Sequence, residues 1–229
     1  MKQKNIREAI SEGISSWLKF EKLAGRESLF CERYLAMPIA QILSHNVRGN
    51  IQAEVDHPVL AVPGIAGRQP QLDFVVKDNG MPVLCVETKW ADEKGVSVAD
   101  VVWDCVRLEL AAHNFGCEAM FILAGKRRCI EKMLASPSFN PERRNGKQSL
   151  LMNLHGTGRM SVTIKAKKGA VSKTLHKMLE GYPTVNFATT YVCERGTQVP
   201  KDDHQDAYTA AIWNIRPEIG GKRHTFNTK

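Results

Sequence analysis

Along residues 5–23 the apolar side chains Ile6, Ile10, Ile14, Trp17, Leu18 and Leu23 recur every three or four positions, which predicts an amphipathic helix. Gly25 stops it, and Ser28 can cap a second helix over residues 28–44, which Pro38 kinks or divides. The period then shortens. Residues 50–64 suggest one or two short strands around His57-Pro58. "QLDFVV" (71–76) and "MPVLCVETKW" (81–90) read as strands joined by the turn "KDNG", with Asn79-Gly80 a strong hairpin signal. The unbroken apolar run Val83 to Val86 predicts a strand covered on both faces. A helix over residues 97–116, ended by Gly116, and a buried strand over 117–125 follow. Residues 126–160 suggest a short helix and a loop. Beyond them come strands in "RMSVTIKAKKG" and "TVNFATTYVCERG", a helix over 171–181, a last strand over 207–217 and a mobile tail. This order of elements implies an α/β sandwich with a mixed sheet.

Composition narrows the class. With 229 residues, 43% of them hydrophobic, the chain can fill one sizeable core. It reads as an N-terminal helix (1–26), a core (27–125) and a C-terminal part (126–229) that completes that core or forms a small appendage. There is no run of about 18 apolar residues, and the charged start "MKQKNIREAISEG" is not a secretory signal, so a cytoplasmic location without membrane partners is expected. Six cysteines without CxxC pairs suit small core residues in a reducing compartment better than zinc ligands. Charge is strongly asymmetric. Residues 1–124 hold 13 Lys+Arg against 16 Asp+Glu, a net −3, and residues 125–229 hold 19 against 8, a net +11. A localised excess of this kind suggests a polyanionic partner, most often nucleic acid. Arg127, Arg128, Arg143 and Arg144 are the candidates for phosphate contacts.

The hairpin carries the chemistry. Asp73 opens its first strand, and Glu87 and Lys89 close the second. Residues two apart in a strand share a face, so Glu87 and Lys89 point together and Thr88 points away. Two carboxylates brought side by side repel, and burial makes that worse. A divalent cation relieves both costs. Magnesium or manganese suits oxygen ligands and keeps waters for a phosphate, while a neighbouring lysine can orient the attacking water and offset developing charge. Glu-x-Lys by itself arises about once by chance in a chain of this length; the weight lies in its setting. Glu54 and Asp56 are further carboxylates within reach of the same end.

Asp73 followed by Glu87-Thr88-Lys89 resembles the PD-(D/E)xK phosphodiesterase superfamily over about residues 27–125. The residue before Asp73 is Leu72 rather than the proline of the family pattern. The resemblance implies a restriction-endonuclease-like α/β/α sandwich with a central mixed sheet. It implies Asp73, Glu87 and the Thr88 carbonyl as ligands of Mg²⁺ or Mn²⁺, and Lys89 acting on a metal-activated water. A helix carboxylate completes the family's set, here Glu32, with Glu27 the alternative. "VVWDCVRLEL" also resembles a D-x-x-R-L helix of some members, which implies that Asp104 and Arg107 line the site. The function implied is a metal-dependent endonuclease acting on DNA rather than RNA, with a homodimer the usual assembly. The alternative is a catalytically inactive domain of the same fold that binds nucleic acid or scaffolds a defence or repair complex.

Overall fold

The computed structural model describes residues 3–62, 69–139, 158–163, 170–197 and 204–226. The elements are α1 (Gln3–Leu23), two 3-10 turns (Glu27–Leu29 and Glu32–Leu35), α2 (Ala36–Asn46), β1 (Asn50–Asp56), β2 (Gln71–Asp78), β3 (Met81–Ala91), α3 (Val98–Phe115), β4 (Glu118–Lys126), α4 (Arg127–Leu134), β5 (Gly158–Thr163), α5 (Ala170–Glu180), β6 (Phe187–Ala188), β7 (Thr190–Arg195), β8 (Tyr208–Pro217) and β9 (Arg223–His224). Seven strands form one mixed sheet in the order β1-β2-β3-β4-β8-β7-β5, so β5, β7 and β8 extend the same sheet as the hairpin, while β6 and β9 form a separate two-stranded sheet. Only β3 and β4 are parallel, and α3 provides the crossover that parallel neighbours require.

Strand alternation divides the core into two layers. Phe74, Val76, Leu84, Val86, Met120 and Ile122 pack under α1 and α2 with Ile10, Ile14, Leu18 and Leu43. Val75, Cys85, Ala119, Phe121 and Trp213 pack under α3, α4 and α5 with Val101, Leu108, Ile130 and Leu179. Helices on both faces of a mixed sheet make an α/β/α sandwich. Burial of each large aliphatic side chain contributes about 2 kcal/mol. The tight turn is as the sequence predicts: Asn79 and Gly80 both have positive φ (50° and 81°), the type I′ geometry that asparagine and glycine tolerate.

One strand, β1, precedes the hairpin among the described residues, within the one or two expected. Two expectations are corrected. The second helix begins at Ala36, and the segment before it forms the two 3-10 turns, so Pro38 lies in the first turn of α2, where its missing N–H costs nothing. The tail after Pro217 is ordered to Phe226: Arg223 and His224 pair with β6, and Phe226 is buried.

Alternation also slips once, at Asp73. Leu72 and Val75 both face α3, while Phe74 and Val76 face α1. Across β1 the register is unchanged on either side, Ala53↔Phe74 and Val55↔Leu72, and Glu54 between them has a left-handed backbone (φ 51°). The local distortion in β1 therefore lies opposite Asp73 with no residue inserted in either strand.

Candidate active site

β2 and β3 bring Asp73, Glu87 and Lys89 to one end of the sheet, where they line a cleft of about 270 Å³ together with Glu54, Gln69 and Arg107. Helix α3 supplies the back wall. Ser97 caps it, its hydroxyl accepting from the Asp100 N–H at 3.3 Å, and Gly116 ends it in the left-handed conformation. Between these caps Asp104 and Arg107 lie one turn apart on the side of α3 that meets β3.

Each carboxylate has a defined neighbour. Asp73 Oδ2 accepts from both the Thr88 N–H and the Thr88 hydroxyl, each at 2.7 Å. Glu87, only 2% exposed, has its Oε1 2.8 Å from the Arg107 guanidinium. Arg107 also meets Asp104 Oδ1 at 3.3 Å and donates to the Gln71 carbonyl. Lys89 Nζ lies 3.1 Å from Asp104 Oδ2 and 3.4 Å from Glu32 Oε1. Four carboxylates (Asp73, Glu87, Asp104, Glu32) thus share two cations, Lys89 and Arg107.

The protonation states follow from that imbalance. Burial, then the charge of Asp104, pushes the Glu87 carboxyl well above the usual range despite Arg107. Burial raises Asp104 to about 6, with Lys89 and Arg107 opposing. For Lys89, burial disfavours the ammonium, but Asp104 and Glu32 outweigh it and hold its pKa above the ordinary lysine value. Lys89 therefore keeps its proton and acts as a donor and a positive charge.

His57 supports the wall from behind. Its Nδ1 accepts from the Val59 and Leu60 N–H groups at 3.2 and 3.1 Å, which leaves Nε2–H to donate to the Arg107 carbonyl at 3.0 Å. Burial lowers its pKa to about 4, so the ring is neutral and pins the segment after β1 to α3. Sequence reasoning missed this role. Its only signal was a histidine beside a proline at the end of a strand, which does not identify a partner 50 residues away.

The remaining candidates separate. Of the two glutamates, Glu32 reaches Lys89, from a 3-10 turn rather than the expected helix. Glu27 instead accepts from the Tyr208 hydroxyl at 2.6 Å and lies 3.6 Å from Lys126. Arg127 is mostly covered and pairs with Glu131 at 3.7 Å; Arg128 pairs with Glu93 and, at 2.5 Å, with Asp206. Both arginines thus have carboxylate partners within the chain, which corrects the picture of open phosphate contacts. Arg143 and Arg144 lie outside the described residues. Asp56 accepts from the Gln71 side chain at 3.1 Å and does not line the cleft.

Among the described residues, no three His, Cys, Asp or Glu side chains are gathered closely enough to hold a metal by themselves. The donor set still fits a hard cation. Asp73 and Glu87 offer oxygen only, the Thr88 carbonyl, 3.4 Å from Lys89 Nζ, is a further oxygen on the same strand, and magnesium typically takes one or two carboxylates and keeps its waters. The excess negative charge of the cluster also matches a divalent ion. No family model, curated protein or solved structure matches the chain. Among the described residues no helix is long and apolar enough to cross a membrane.

Proposed function

We propose that the chain is a divalent-metal-dependent endonuclease of the restriction-endonuclease-like fold and the PD-(D/E)xK superfamily, hydrolysing phosphodiesters of nucleic acid. DNA is favoured over RNA on the resemblance. One observation carries the proposal: a lysine held between Asp104 and Glu32 faces the cleft that contains Asp73 and Glu87. Asp73, Glu87 and the Thr88 carbonyl are the residues that would hold Mg²⁺ or Mn²⁺. A cation there would supply Lewis acidity, lowering the pKa of water and screening phosphate charge. Lys89 keeps its proton and donates from Nζ toward the oxygens that gain charge as the bond to phosphorus breaks. Asp104 fixes the lysine, and Thr88 orients Asp73 through two hydrogen bonds. The basic excess of residues 125–229 supports a polyanionic substrate.

The test is cleavage of plasmid DNA, linear DNA and RNA by purified protein with Mg²⁺ or Mn²⁺, beside Asp73→Ala and Lys89→Ala. Activity in the wild type that both substitutions abolish is the expected result. Equal activity in all three proteins would remove the mechanism.

A second reading has its own support. Asp73 is engaged by Thr88 and Glu87 by Arg107, an arrangement that also suits an inactive domain of this fold that binds nucleic acid. Salt-sensitive nucleic-acid binding without Mg²⁺ binding by calorimetry would favour that reading.

A further inference from the structure

We infer that Arg107 is an ionic latch on the metal carboxylate: its guanidinium occupies Glu87 until a divalent cation displaces it, and once displaced it turns to the phosphate of the substrate. This deepens the metal-dependent reading and rests on it. The geometry is specific. Arg107 lies 2.8 Å from Glu87 Oε1, an oxygen closed off from solvent, and both residues line the cleft that also holds Asp73. Two positive charges cannot share one buried carboxylate without repulsion, so cation and guanidinium compete for Glu87.

The arginine is also built to remain in the cleft after losing Glu87. It keeps the Gln71 carbonyl and Asp104 as partners, and His57 holds its backbone carbonyl. The nitrogen that meets Glu87 also donates to the Gln71 carbonyl, and the other terminal nitrogen meets Asp104, so losing Glu87 leaves the guanidinium in place with an N–H open to a phosphate oxygen. The order that follows is cation first, then phosphate. Before the cation arrives, the guanidinium offsets part of the charge of Glu87. After it arrives, the same group is freed for the anion that the cation also attracts. Arg107 in this scheme acts first on Glu87 and then directly on the phosphate.

The test uses the full chain and the metal alone. Mn²⁺ binding is measured by calorimetry for the wild type, Arg107→Gln and Arg107→Lys, and turnover is measured on DNA under saturating Mn²⁺. The latch predicts opposite movements: Arg107→Gln binds Mn²⁺ on the order of tenfold more tightly, the size expected for loss of one competing charge pair, while its kcat falls. A purely structural arginine would weaken both or move neither. Should Arg107→Gln fail to fold, the wild type still decides the matter through arginine side-chain NMR. Its Arg107 Nε signal, assigned by its absence in Arg107→Lys, must shift when diamagnetic Mg²⁺ is added to the metal-free protein to saturation. Mn²⁺ binding by the wild type with equal or weaker binding by Arg107→Gln, or an Nε signal indifferent to Mg²⁺, overturns the latch alone. Absence of cation binding in every protein overturns the metal-dependent reading and the latch together.

Discussion

Helix α3 carries two buried carboxylates five residues apart, and they are treated in opposite ways. Glu109 meets Arg223 in a closed fork, each oxygen accepting one N–H at 2.9 Å. Burial still lifts its carboxyl, with Arg223 pulling the other way, but every oxygen has its own donor. Asp104 has no such exclusive partner. It shares Arg107 with Glu87 and Lys89 with Glu32, and burial raises it to about 6. The first arrangement is complete as it stands and ties the C-terminal strand β9 to the helix. The second has more negative than positive charge and opens onto a cleft. A fold that can build the first has no structural need of the second, and this contrast is the physical case for a functional site.

The strongest way to break the comparison is activity. Lys89→Ala should lower cleavage by about 10²- to 10⁴-fold, the range for losing one positioned donor or acid–base group, and should also lower the melting temperature, because it leaves the buried Asp104 with Arg107 alone. Next is Glu109→Gln. Breaking a closed buried pair strands Arg223, so urea denaturation should register a loss of about 3 kcal/mol, with turnover at low temperature preserved.

pH separates the two kinds of burial further. His57 has a folded-state pKa depressed to about 4, so its contribution is present above about 6.5 and is lost as pH falls toward 4. That loss is of order 3 kcal/mol at most. Asp104 has the opposite sign: a folded-state pKa raised to about 6 means stability that is full near pH 4 and declines as pH rises through 6. In denaturation compared at pH 7 and pH 4.5, His57→Gln should remove a contribution that falls on acidification, and Asp104→Asn one that rises on acidification.

Glu87→Gln sharpens the contrast from the other side. Its carboxyl is held well above the usual range, so at pH 7 the charged form costs stability. The amide removes that cost, and Arg107 keeps Asp104 as a partner, so stability should fall less than in Glu109→Gln while cleavage is abolished. The smallest effect is expected at Glu54. Glycine there relieves a left-handed backbone (φ 51°), so Glu54→Gly should be neutral or stabilising by up to about 1 kcal/mol in thermal denaturation.

Local signals were the legible ones. The Asn79-Gly80 turn, the buried run of β3 and the capped α3 follow from side-chain period and turn chemistry, and with them comes the convergence of Asp73, Glu87 and Lys89. The i, i+3 spacing of Asp104 and Arg107 on an otherwise apolar helix was a usable clue to the back wall. Their division of labour was not, because it depends on how α3 settles over β2 and β3. Glu32 was found in the wrong kind of element, since a 3-10 turn and a helix start share the same polar residues. The Glu109–Arg223 fork joins residues 114 apart, and no local pattern encodes such a pair.

The strand order has a consequence for synthesis. β4 pairs on one side with β3, made some thirty residues earlier, and on the other with β8, whose residues 208–217 leave the ribosome last among the sheet strands. Until then the hydrogen-bonding edge of β4 is bare, and the apolar side chains of β4 lack their cross-strand neighbours. The nascent chain therefore emerges with a half-built sheet although every residue that lines the cleft, from Glu54 to Arg107, has already been made. A bare edge of this kind is open to pairing with another chain until β8 covers it.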